Sequence, residues 1–484
     1  MIKWRDLFFM VYLLVSLFHF WNFSPENVYI YAFFGLNFIV ISTIMVYHIY
    51  IEKAYSPFLS TFLVFNYLFF LVAPMSQITE IVGTEQLTFL NKFPLQENLI
   101  LKTLVLILIF NISFFVFYLK FKTLAFKRAI SYKNSSKKGS GSLPVLALLW
   151  LSVGFIIILT NFDFIISEFN RPSWQSPDAS VVEGLIKTKI LFVIPLSGII
   201  ITTKALRSSL NISNQWLMYI TLFLFFVQLF ILKNPLLAKR HELGPIFFVL
   251  LFLFVPRLIN TNLKVCGMIF IAMLVGFPLA QLLTHVNYGA QELFSDPSLL
   301  LVAIENGVLT NGYYSLNYDA FLNIGVIINH VADTGLSYGY QMLSGILFFI
   351  PRFIWQSKPT SSGTIVGETL KNEYGFNFTN VSNPFVSEAY HNFGYFGIII
   401  FSIILVFVII LFVDWLRSAN LFKQCTAIYF SLHLIMFLRG DFTNGMAYMG
   451  GAMISLYILP SLAHTLLKTL MFSNKNQRTA DGIE

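Results

Sequence analysis

The sequence predicts an all-α protein that crosses a membrane about twelve times and carries one large external loop of short helices. Three observations predict it. The 484 residues are 57% hydrophobic and only 11% charged, whereas a soluble domain holds roughly 45–50% apolar and about 25% charged residues. Apolar runs long enough for a bilayer, about 20 residues each, recur along the whole chain. The basic residues also divide unevenly between the segments that join those runs.

The runs fall near residues 6–22, 28–51, 58–75, 98–119, 144–161, 185–203, 214–232, 245–260, 265–283, 396–413, 424–438 and 446–467. The first has no small-residue cleavage site, because His19, Phe20, Trp21 and Asn22 stand there, so it reads as an uncleaved span. Twelve crossings put both termini on one side. With the N-terminus inside, the inner segments hold 19 of the 31 Lys and Arg and only 5 of the 23 acidic residues. Lys and Arg set orientation, so both termini are expected to be cytoplasmic. Residues 121–142 then form a basic cytoplasmic loop and residues 284–395 a large loop on the other face, all within one integral membrane domain. The net charge of +8 belongs to the inner face, where anionic headgroups lie. It is no nucleic-acid footprint, since no soluble domain carries a basic stripe. Cys266 and Cys425 form no metal or disulfide pattern and are expected to be small buried residues.

The external loop is too long to be a mere connection. Its apolar runs Leu299–Ile304, Phe321–Ile328 and Leu343–Trp355 are too short to span and suit interfacial or re-entrant helices. It also concentrates the polar chemistry of a greasy chain, in Ile350-Pro-Arg-Phe-Ile-Trp-Gln-Ser-Lys-Pro359 and in Asn383-Pro-Phe-Val-Ser-Glu-Ala-Tyr-His-Asn-Phe-Gly394. Ionisable groups beside a bilayer are costly, so such a cluster is a functional-site candidate. Arg352 and Lys358 suit a diphosphate, one as a planar fork and the other as a point charge; the simpler reading is an Arg that snorkels to headgroups. Glu388 and His391 stand at i and i+3, and either can act as a base. Asn383 and Tyr390 lie beside them as candidate substrate contacts. A second basic knot, Lys233-Asn-Pro-Leu-Leu-Ala-Lys239-Arg240-His-Glu242, sits on another outer loop. A third is Arg439-Gly-Asp441, whose charges either pair with each other or position substrate. His48 and His433 are expected to be buried, hydrogen-bonded residues. No Walker A loop, dinucleotide turn, Asp-x-Asp pair, HExxH or Gly-x-Ser-x-Gly elbow occurs, so no cofactor and no metal is expected.

The runs 350–359 and 387–394 resemble the bacterial oligosaccharide repeat-unit polymerases, the Wzy-type O-antigen polymerases. The Asn234-Pro…Lys239-Arg240 loop and Arg439-Gly-Asp441 are similar to further stretches of that family. The resemblance implies a C-type glycosyltransferase membrane fold in the inner membrane. It implies repeat units linked to undecaprenyl diphosphate as substrates at the periplasmic face, and a product that is O-antigen of lipopolysaccharide or a related polysaccharide. A flippase and a chain-length regulator are the partners it suggests. Arg240, Arg352 and Arg439 are then the candidates for the diphosphates, with Lys239 and Lys358 in support, and Glu388 or His391 is the base. The competing readings are a lipid-linked oligosaccharide flippase or transporter, and an O-antigen ligase. Charge in a long external loop rather than at mid-helix favours an enzyme over a transporter.

Overall fold

The computed structural model describes residues 3–83, 92–129, 142–170, 186–208, 211–235, 240–276 and 316–480 except 378 and 380, with a few single positions between them. Among the described residues every regular element is helical. Ten helices among the described residues are long and apolar enough to cross a membrane. These include α1 (Trp4–Asn22), α2 (Val28–Ile51), α3 (Pro57–Ile81), α4 (Glu97–Ala129), α5 (Ser142–Thr160), α6 (Ile186–Leu206) and α7 (Ile212–Leu232). Two expected spans appear as shorter apolar helices, α8 (Arg240–Phe254) and α9 (Asn262–Ile271). α8 ends at Phe254, and the chain turns into a 3-10 segment at Pro256–Leu258.

The large loop contributes α10 (Ala320–Thr334), α11 (Tyr340–Ile346) and α12 (Ser362–Tyr374). At 15 residues, α10 is short of the roughly 20 that a span needs. Its Ala320–Ile328 half is wholly buried, with the Phe321 ring 5.9 Å from Phe34 of α2. The expected run 321–328 is therefore a helix packed among the spans; Leu299–Ile304 lies outside the described residues. The last three spans are α13 (Phe385–Arg417), α14 (Leu421–Arg439) and α15 (Phe442–Met471).

Small residues let these helices approach closely, as membrane interfaces require. A Cβ on Gly198 would stand 2.2 Å from the Phe225 ring, and one on Gly154 2.2 Å from the Gln228 amide. On α12, Gly363 and Gly367 are one turn apart and bring Val381 and Thr379 directly onto the helix. A Cβ at Gly367 would lie 1.9 Å from the Thr379 carbonyl oxygen. The other special position is Gly394 (φ 60°, ψ −146°), where α13 breaks. Only glycine adopts that backbone easily, and the break separates Phe385–Asn392 from the long apolar half that follows. Cys266 and Cys425 are fully buried, and His48 and His433 are buried with Nε2 contacts to Ser60 Oγ (2.8 Å) and the Gly445 carbonyl (3.5 Å).

Candidate functional site

The helix that opens at Phe442 gathers polar groups from three other elements. Asp441 caps it, accepting the Asn444 N–H at 2.7 Å and the Asn444 side-chain amide at 2.7 Å. Burial pushes the Asp441 carboxyl up, against the pull of those hydrogen bonds. Phe442 N–H, the first free donor of the helix, points at Glu388 Oε1 (2.9 Å). The same oxygen accepts the Ser362 hydroxyl from the start of α12. Gln341 of α11, with its amide turned to meet both neighbours, donates to Glu388 Oε2 (3.1 Å) and accepts the Ser362 N–H (3.1 Å). Glu388 is fully buried. Its carboxyl group ties the starts of α12 and α15 to α11.

His391 stands one turn further along the same short helix and meets a different neighbour. Its ring lies 5.6 Å from that of His330 on α10, edge to face. Burial lowers the proton affinity of His330, while Glu373 and Asp333 pull the other way. Among the described residues His391 Nδ1 is buried without a hydrogen-bond partner. The i, i+3 spacing therefore does not aim the two candidate bases at one point, since such residues differ by about 60° around a helix of 3.6 residues per turn. Asn383 is fully buried and accepts from the Ser387 hydroxyl. Tyr390 is half-buried, its ring 5.6 Å from Tyr395.

Arg439 does not pair with Asp441. Its Nη2 donates to the Leu316 carbonyl (2.8 Å) and to Asp319 Oδ1 (3.2 Å), 120 residues away. Asp319 also accepts from Ser382 (2.7 Å), so this ion pair pins the entry of α10 to the end of α14. The pairing of adjacent charges fails because Asp441 is occupied in capping its own helix.

Arg352 and Lys358 brace their own loop. Lys358 Nζ donates to the carbonyls of Leu347, Phe348 and Ile350 at 2.9–3.3 Å, closing the C-terminal end of α11. Burial and the Arg352 charge both push this ammonium down. Arg352 donates to the carbonyls of Lys358 (2.6 Å) and Pro359 (3.2 Å) while staying exposed.

In the second basic knot, Lys239 and the Arg240 side chain lie outside the described residues, although Arg240 opens α8. Beside them the structure assembles a buried charge cluster that sequence reasoning missed. Glu242 takes Lys189 on one carboxylate oxygen and Lys233 on the other. The Lys189 ammonium also lies 3.9 Å from the Tyr448 ring centre, and His241 stacks on Tyr448 at 5.4 Å. Lys189 was hidden because it sits inside an apolar run; only its place in the π turn Ile186–Ile190 swings it toward Glu242. Gln341, Ser362, Asp319 and His330 carried no signal, since their partners are distant in sequence.

Residues 374–474 match the model of the family described as O-antigen polysaccharide polymerase Wzy. No curated protein and no solved structure matches the chain. The matched stretch holds Asn383, Glu388, Tyr390, His391 and Arg439, and so the whole of α13, α14 and the polar start of α15. The chain thus carries, at one end of a multi-pass helical bundle, the sequence pattern of the Wzy-type O-antigen polymerases, and that match supports the family that its loops resemble.

Proposed function

We propose that the protein is a glycosyltransferase of the inner membrane, with both termini cytoplasmic, that joins undecaprenyl-diphosphate-linked oligosaccharide repeat units at the periplasmic face. The observation that carries this reading is the convergence of buried polar groups on the start of α15, inside the segment that matches the polymerase family. A sugar hydroxyl of one lipid-linked unit attacks the anomeric carbon of the growing chain. The new C–O bond forms as the old C–O bond to undecaprenyl diphosphate breaks, and the hydroxyl proton passes to a base. Charge developing on the leaving diphosphate is met by preplaced cations, for which Arg240, Arg352 and Arg439 are the candidates, with Lys239 and Lys358 behind them.

His391 is the better-supported base. It has a buried ring nitrogen with no partner among the described residues, whereas both oxygens of Glu388 already accept hydrogen bonds. Glu388 acts instead as a positioning residue. Surface polysaccharide from a strain lacking this chain tests the reading. Long polymer should vanish while single capped repeat units remain; loss of the single units as well would point to a flippase or a ligase.

A further inference from the structure

The polar clusters leave one feature of the large loop unused. The tip that follows α11 is apolar and bare: Phe349 is 65% exposed, Phe353 80% and Ile354 68%. Contiguous exposed apolar surface of this kind marks an interaction site. We propose that residues 340–354 form a membrane-interface element, with Phe349, Phe353 and Ile354 among lipid acyl chains. The proposal goes beyond the polymerase reading and does not depend on it.

Two contacts place the segment beside the spans. Gly345 of α11 lies against Phe442, where an added Cβ would meet the ring at 2.6 Å, and the Phe348 ring lies 2.9 Å from the Cβ position of Gly450. Eight residues separate Phe442 from Gly450, about 12 Å of helix at roughly 1.5 Å per residue, so the segment runs down the flank of α15. The hydrocarbon core takes about 20 residues of helix. Counted back from Lys468, whose charge marks the opposite headgroups, about 20 residues reach Tyr448. Phe348 therefore stands at the edge of the hydrocarbon. On the neighbouring span, the Cβ position of Gly339 lies 3.0 Å from the Phe393 ring. The chain then continues through Tyr395 and Phe396, 49% and 68% exposed at the start of the long half of α13. The start of α11 thus lies against α13 beside exposed apolar residues.

The loop's hydrogen bonding meets what an acyl environment demands. Carbonyls entering an acyl environment must be satisfied internally. Lys358 takes those of Leu347, Phe348 and Ile350, and Arg352 takes those of Lys358 and Pro359.

The test uses the full chain in phosphatidylethanolamine–phosphatidylglycerol vesicles, with a nitroxide on Phe353→Cys or, separately, on Ile354→Cys. Both side chains are exposed, so the label displaces no core, and the native cysteines are buried. A label on Phe223→Cys of α7, 66% exposed on a span, serves as the lipid reference. Both tip labels should collide several-fold more often with oxygen than with a water-soluble nickel complex, as the reference does, and Gln356→Cys should show the reverse. Dominant nickel collisions at 353 and 354 would overturn the proposal in favour of a water-exposed loop. Protection from both reagents would overturn it in favour of a covering protein surface, and spin–spin broadening would identify that surface as a second copy.

Discussion

At the residue scale, Glu388 and His391 look equivalent in the sequence and differ in the structure. Gln at 388 keeps an oxygen for the Ser362 and Phe442 donors and gives up only the contact with the Gln341 amide. Glu388→Gln should therefore retain long polymer, while Glu388→Ala strands buried donors at about 1–3 kcal/mol and should lower membrane abundance. His391→Ala should abolish polymer at normal abundance. Polysaccharide gels with immunoblots read both, and an inactive Glu388→Gln at matched abundance would return the base to Glu388. Arg352→Lys should shorten polymer at normal abundance, because an ammonium keeps the charge but loses the fork; unchanged chain length would make Arg352 a brace only. Glu242→Gln removes the carboxylate shared by two buried ammoniums. Breaking a buried pair costs about 3–5 kcal/mol, so the detergent-solubilised protein should melt markedly lower. The charged candidates were legible because charge is rare in this chain. Their partners were not: Asp319 for Arg439, or Ser362 for Glu388, follows from tertiary packing that no local spacing encodes.

At the scale of elements, the long spans were legible because length and hydropathy alone dictate a bilayer crossing. Two of the short helices, α10 and α11, were legible as apolar runs too short to span, but not which of them would be buried. α10 proves to be packed among the spans, whereas the tip after α11 is bare. The close approach at Gly367 likewise has no sequence signature beyond the glycine. Gly367→Ala should push the Thr379 carbonyl away and disturb the path into Asn383 and Glu388. Overpacking of this kind costs about 1–3 kcal/mol, to be seen as a lowered melting temperature and shorter polymer. Gly267→Ala, where nothing stands within 4 Å of the new Cβ, should melt like the native protein.

For the whole molecule, orientation rests on the uneven distribution of Lys and Arg. The helix starts and ends gathered around α15 belong to segments that reading places on one face. Thr360→Cys and Ala419→Cys, both at exposed positions, should react with an impermeant thiol reagent from opposite sides of the membrane; labelling of both from one side would break the topology. The central claim is chemical and is tested most directly with purified components. The protein in vesicles, given undecaprenyl-diphosphate-linked repeat units, should convert them into a ladder of chains spaced by one unit while releasing undecaprenyl diphosphate. His391→Ala should leave the substrate unchanged. Movement of intact lipid-linked units across the vesicle membrane, with no ladder and no released carrier, would contradict the account.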